Sequence, residues 1–324
     1  MPTSVFLMNL TRRHVLLMMW IGAFLNLAPM PAEAAVRHIY LTWSGDPASS
    51  VRINVHTMTT PGQLAPQIHV VYDTVRAGAP GQYRWASTST HIDPIEALPG
   101  RTVHSVLLDQ LQPGTRHYYR VLSSQDAAST VYHFRTMPDE PSPLRFIVNG
   151  DMGIDEHARQ LQSVAAAQDP QVALLGGDLA YSNGNWDHAD RWDRWLDHWD
   201  SLMVTSTGDQ IPIVSAIGNH EVRGGYAGTE QDAGLYLRYL PQSSKTFYDR
   251  QLGPHVALLV LDSGHLASHD GEPPGCSRHW CGTKTVTSAL PSTTCRCSPD
   301  SASPAQPCHE RVAASGNRCS RNLP

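Results

Sequence analysis

The chain has 324 residues, of which 41% are hydrophobic and 16% charged, and a formal net charge of −5. That length accommodates about two domains, and the composition can supply a core to each. A mildly acidic balance without any basic stripe excludes nucleic acid as a partner.

Residues 1–34 read as an export signal. Arg12 and Arg13 precede an apolar stretch from Val15 to Leu27, and Ala32-Glu33-Ala34 offers a cleavage site before Ala35. The apolar stretch is shorter than the roughly 20 residues a spanning helix needs, so no stable membrane insertion is expected. Thr11-Arg12-Arg13-His14-Val15-Leu16 also resembles a twin-arginine export motif, and an ordinary secretory signal explains the paired arginines equally well. Either way the expected location is secreted or periplasmic.

Residues 36–137 read as an all-β sandwich. Short alternating runs such as Val51–Val55 and Ile68–Tyr72 are separated by Pro, Gly, Ser and Thr turns, with a last strand at Val131–Arg135. Leu111 to Val121 predicts a turn leading into a strand, and one of Tyr118 and Tyr119 is placed to make the corner hydrogen bond of immunoglobulin-like sandwiches. The stretch resembles a fibronectin type III module. It holds no catalytic cluster, so His56, His69, His91, His104, His117 and His133 read as surface or packing residues.

After a Pro-rich linker, 138–143, the period changes. Strand-like Leu144–Val148, Val172–Leu175 and Ile211–Ile217 alternate with helical stretches, which indicates an α/β layer fold over residues 144–272. In the helix Glu156 to Gln168, Ala158, Leu161, Val164 and Ala165 are expected on one buried face. In the next helix Trp192, Trp195 and Trp199 recur at i, i+3 and i+7, a packing face. Asp187, His188, Asp190, Asp193 and His198 read as its solvated face.

Each of the three strands ends in a motif: Gly150-Asp151-Met152-Gly153, Gly177-Asp178-Leu179-Ala180-Tyr181 and Gly218-Asn219-His220-Glu221. Phosphoester hydrolysis has a large barrier, which two metal ions lower by clamping the phosphate, neutralising its charge and activating water. Asp151 and Asp178 are carboxylates suited to such ions. Tyr181 offers a phenolate, Asn219 an amide oxygen, and His220 a proton donor for the ester. One such motif is weak. Three in this order, with Asp178 lying 27 residues after Asp151 and 41 before Asn219, are specific together.

The motifs, with Arg191-Trp192-Asp193-Arg194-Trp195 and Leu261-Asp262-Ser263, make the chain resemble the purple acid phosphatases, calcineurin-like metallophosphoesterases that carry a fibronectin-like domain ahead of the catalytic one. The likeness covers about residues 36–270. It implies a dinuclear centre with Asp151 and Tyr181 on a ferric ion, Asp178 bridging, and Asn219 on a second ion of iron, zinc or manganese. It also implies His220 against the phosphate of a small-molecule phosphomonoester.

The family pattern has three more histidine ligands, in a Val-x-x-His segment and a Gly-His-x-His segment, and neither occurs here. Four ligands of seven predict weak metal binding and little turnover by the chain as it stands. His265, His269, His279 and His309 follow the last core strand, His255–Asp262, outside the required spacing. Residues 273–324 form a Cys-, Ser- and Pro-rich tail with all six cysteines. A frameshift near residue 272, a shortened gene product and a tail held by disulfides or zinc are three readings of it. The sequence thus predicts a sandwich followed by an incomplete phosphoesterase α/β domain. A non-catalytic secreted binding protein on a decayed scaffold is the alternative.

Overall fold

The computed structural model describes residues 35–266, and the expected signal segment, the tail with its cysteines, and His269, His279 and His309 lie outside them. The described part is mostly β-sheet with few helices. The first half supplies β1 (Ala35–Thr42), β2 (Val51–Met58), β3 (Ile68–Asp73), β4 (Trp85–Thr88), β5 (His91–Pro94), β6 (Arg101–Leu108), β7 (Arg116–Ser123) and β8 (Tyr132–Arg135). The second supplies β9 (Phe146–Asn149), α1 (Glu156–Ala166), β10 (Val172–Leu175), α2 (Ala189–Leu202), β11 (Ile213–Ser215), α3 (Gly234–Tyr239), β12 (Tyr248–Leu252) and β13 (Val256–Val260). Among the described residues no helix is long and apolar enough to cross a membrane.

One sheet of seven strands, in the order β5-β6-β2-β1-β11-β10-β9, runs through both halves. Its β5–β1 portion is antiparallel, and β9, β10 and β11 are parallel in register, Phe146 opposite Val172 and Ala173 opposite Ile213. The halves join where β1 runs parallel to β11 at Thr42 and Ile213. A four-stranded antiparallel sheet, β4-β3-β7-β8, shares a core with β1, β2 and β6 through residues such as Ile53, Val106, Ile68 and Tyr119. The hairpin β12–β13 adds Leu252 and Val260 to that core.

The other face of the large sheet carries the second core. Trp192 and Trp195 are fully buried there and Trp199 nearly so, with Ala173, Leu175 and Ile213 from the parallel strands. The tryptophan face therefore packs as its spacing implies. The preceding helix does not. It buries Ala158, Gln162 and Ala166, and leaves Leu161 and Val164 each 62% exposed. The buried i, i+4, i+8 stripe of α1 is Ala158, Gln162 and Ala166, and the larger apolar residues Leu161 and Val164 fall outside it.

Two further expectations are corrected. Asp193 does not belong to a solvated face: it is 9% exposed, and both its oxygens accept from the Arg101 guanidinium at 2.6 and 2.8 Å. Tyr119 makes no corner bond within the sandwich. Its hydroxyl donates to Gln210 Oε1, and Gln210 Nε2 donates to the Ile39 carbonyl at 3.1 Å, which ties the two halves together. Of the histidines read as surface or packing, His56, His104 and His117 are buried, His69 and His133 half-buried, and His91 exposed.

Candidate metal centre

Ligands gather at the carboxyl ends of parallel strands because the loops there diverge and free their backbone groups. The loops after β9, β10 and β11 are held in contact at that end. Asp151 N donates to Gly177 O at 3.2 Å, Met152 N to Asp178 O at 2.9 Å, and Gly153 N to Leu179 O at 2.9 Å. These three bonds zip the first loop to the second. The second meets the third backbone to backbone: a Cβ on Gly177 would lie 2.5 Å from Gly218 N, and one on Gly218 would lie 2.3 Å from Asp178 Oδ1. Glycine is required at both positions.

The turns that aim the side chains outward are left-handed. Asp151 (φ 49°), Asp178 (φ 54°), Tyr181 (φ 57°) and Asn183 (φ 56°) all adopt positive φ. Asp and Asn tolerate that region, while a bulky residue such as tyrosine rarely does. Such strain costs on the order of 1–3 kcal/mol per residue and persists only where its surroundings over-determine it. Here Arg191 Nε donates to Ala180 O at 2.9 Å, and Trp192 Nε1 to Ser182 Oγ at 3.0 Å. The tryptophan helix thereby braces the loop that carries Tyr181.

The five candidate residues lie along these loops. Tyr181 donates to Asp151 Oδ1 at 2.7 Å and stacks on His220 at 4.1 Å between ring centroids. His220 Nδ1 faces Asn183 Oδ1 at 2.5 Å, which leaves Nε2 for another partner. The His220 backbone N–H donates to Asp178 Oδ1 at 2.8 Å, and Asn219 precedes it, partly buried. Donation to the Asp151 carboxylate, with some burial, pushes the Tyr181 phenol up to about 12. The motif also contains a residue to which sequence reasoning assigned no role. Glu221 is 1% exposed and accepts from the backbone N–H groups of Asp178, Leu179 and Gly218 at 2.7–2.9 Å. Asn183 and Arg191 were missed too. Their signal lay in position, two residues after Tyr181 and inside the Arg191–Trp195 segment.

Carboxylates, a phenol and an amide oxygen are hard donors and fit hard cations. The proton that Tyr181 shares with Asp151 stands where a cation held by both oxygens would displace it. The set is nevertheless small. Among the described residues no group of three His, Cys, Asp or Glu side chains is placed to hold a metal ion. His265, the one late histidine that the structure describes, is buried with Nδ1 against Gly225 O at 2.8 Å and Nε2 near Ser263. Both its ring nitrogens are thus engaged.

Residues 36–136 match the family described as the purple acid phosphatase N-terminal domain. Purple acid phosphatase 15 of Arabidopsis thaliana is 33% identical over 141 residues, 37% of this chain and 26% of that protein. Probable purple acid phosphatase 20 of the same plant is 28% identical over 155 residues, 47% of this chain and 33% of that protein. The chain thus spans about a quarter to a third of these relatives. Two solved structures share the fold. A purple acid phosphatase from yellow lupin (Lupinus luteus) seeds aligns over 74% of this chain and 47% of its own, with a TM-score of 0.57 and 15% identity. PhoD aligns over 73% and 53%, with a TM-score of 0.55 and 14% identity.

Proposed function

We propose that this chain, which belongs to the purple acid phosphatase family, is organised for phosphomonoester hydrolysis, with its site at the carboxyl ends of β9, β10 and β11. Its first half is read as a fibronectin type III-like sandwich and its second as part of a calcineurin-like phosphoesterase layer. The observation that carries the reading is the convergence of Asp151, Asp178, Tyr181 and His220 through the Tyr181–Asp151 bond, the Tyr181–His220 stack and the His220–Asp178 bond.

Asp151 and Tyr181 would hold a ferric ion, Asp178 would lie between the two metals, and Asn219 would hold a divalent partner of iron, zinc or manganese. When bound, such a pair neutralises phosphate charge and activates water for attack on phosphorus. The chain's own residues supply orientation and proton handling. Asn183 accepts at His220 Nδ1, so the ring presents Nε2 outward to the ester, where it can hold or deliver a proton to the leaving oxygen. Stacking on Tyr181 limits rotation of the imidazole. With four donors the expected metal affinity is weak and the turnover low. The amino-terminal segment supports export to a secreted or periplasmic location.

The test is release of inorganic phosphate from p-nitrophenyl phosphate between pH 4 and 7 after loading with iron and zinc. Hydrolysis that is lost on chelation and in Asp178→Asn supports the reading. No hydrolysis and no metal uptake by a form that also carries the family's three histidines would sink it. The alternative, a non-catalytic secreted binding protein, is favoured by the lack of a three-ligand group among the described residues. It predicts partner binding that survives both chelation and Asp178→Asn.

A further inference from the structure

Three backbone N–H groups that converge on one point form an anion-binding concavity. Here they come from two loops, Asp178 and Leu179 after β10 and Gly218 after β11. The anion is internal. Glu221 Oε2 accepts from Asp178 N at 2.7 Å and from Gly218 N at 2.9 Å, while Oε1 accepts from Leu179 N at 2.9 Å. Both carboxylate oxygens are therefore bound to backbone, inside a space from which solvent is nearly excluded. A side chain buried only to fill volume would be apolar, because an ionised carboxylate is costly to desolvate unless its acceptors are filled.

The consequence lies one bond further out. With Gly218 pinned against Asp178, the His220 N–H reaches Asp178 Oδ1 at 2.8 Å, and Asn219 lies between Gly218 and His220 on the third loop. Among the described residues, the first two loops are joined by three backbone bonds, whereas the carboxylate of Glu221 bridges the second and third.

We propose that Glu221 is a positioning residue: as an internal anion it occupies the concavity formed by the Asp178, Leu179 and Gly218 amides, and so sets Asp178 and Asn219 in register for a metal ion. The statement about metal rests on the function proposed above; the statement about the loops does not. An internal carboxylate also closes this concavity to phosphate, so substrate would bind elsewhere in the site.

The test uses the full chain, metal-free, with Glu221→Ala and Glu221→Gln. Amide hydrogen exchange at Asp178, Leu179 and Gly218 is expected to speed up selectively in both variants, while amides of β2 and α2 keep wild-type rates. Formate is expected to slow exchange again in Glu221→Ala, because it returns a carboxylate to the same donors. Zinc affinity measured by titration calorimetry is expected to weaken by about 10–100-fold, as for other residues that orient metal ligands. Uniformly faster exchange without a local excess, or no response to formate, would reduce Glu221 to a folding residue and overturn the proposal. If Glu221→Ala fails to fold, Glu221→Gln decides, since it keeps the volume and replaces one acceptor by a donor. Should wild type bind no zinc while the local exchange effect and its reversal appear, the role of Glu221 in joining the loops stands, and the function proposed above is decided separately by the form that carries the family's three histidines.

Discussion

Replacing Asp193 by alanine should be among the most destabilising single changes outside the site. Asp193 receives two charge-assisted bonds from Arg101, lies 3.2 Å from Arg37 and 3.5 Å from His38 Nε2, and is nearly buried between β1, β6 and α2. Burial disfavours its charge, yet the hydrogen bonds from His38 and Arg101 hold its carboxyl well below the usual range. Arg101 is 5% exposed, and its other polar neighbour is His56 Nδ1 at 3.4 Å. Removing one partner of a buried pair leaves the other charge stranded, at a cost of about 3–5 kcal/mol. At roughly 2–4 °C per kcal/mol for a domain of this size, the melting temperature should fall by about 6–20 °C. Circular dichroism melts and urea titrations measure it, with Glu156→Ala as the control, since that exposed pair with Arg159 contributes at most about 1 kcal/mol. The double variant Arg101→Met/Asp193→Leu should recover most of the loss. A loss below about 1 kcal/mol in Asp193→Ala would refute the reasoning, because it would mean that water reaches the pair.

The same network predicts a pH dependence. His38 is fully buried with Nδ1 3.3 Å from Asp200 and Nε2 3.5 Å from Asp193; burial opposes its charge, but those carboxylates raise its pKa overall. Its contribution to stability is therefore complete below the unfolded value of about 6.5 and is lost as pH rises through the folded one. Urea titrations at several pH values should show this limb in wild type and a flatter one in His38→Gln. His56 opposes it: burial first, then the charges of His38 and Arg101, depress its pKa, so its contribution is present above about 6.5 and fades as pH falls. Tyr119→Phe should cost about 1–3 kcal/mol by leaving the buried Gln210 carbonyl unsatisfied between the two halves, as chemical denaturation would report. Gly177→Ala, at φ +93° with its new methyl 2.5 Å from Gly218 N, should force the second and third loops apart, seen as faster amide exchange at Gly218.

The strands and helices that build the site were legible in the sequence because each is a local pattern. Val172–Leu175 is a short apolar run that becomes a strand of the same bounds, and the tryptophans at i, i+3 and i+7 share a face on any helix. The three glycine-bearing motifs marked strand ends for the same reason, since tight turns demand glycine whatever surrounds them. Burial of Asp193 and exposure of Leu161 were not legible. Both positions obey helical periodicity equally well on either face, and which face is covered depends on what β1, β6 and the neighbouring helix present. Nor could spacing reveal that Glu221 spans two loops or that Tyr119 reaches Gln210. Those partners lie 43 and 91 residues away in the chain. Local periodicity encodes the elements, whereas the pairing of buried polar groups is set by long-range packing, where each donor must find an acceptor once water has been excluded.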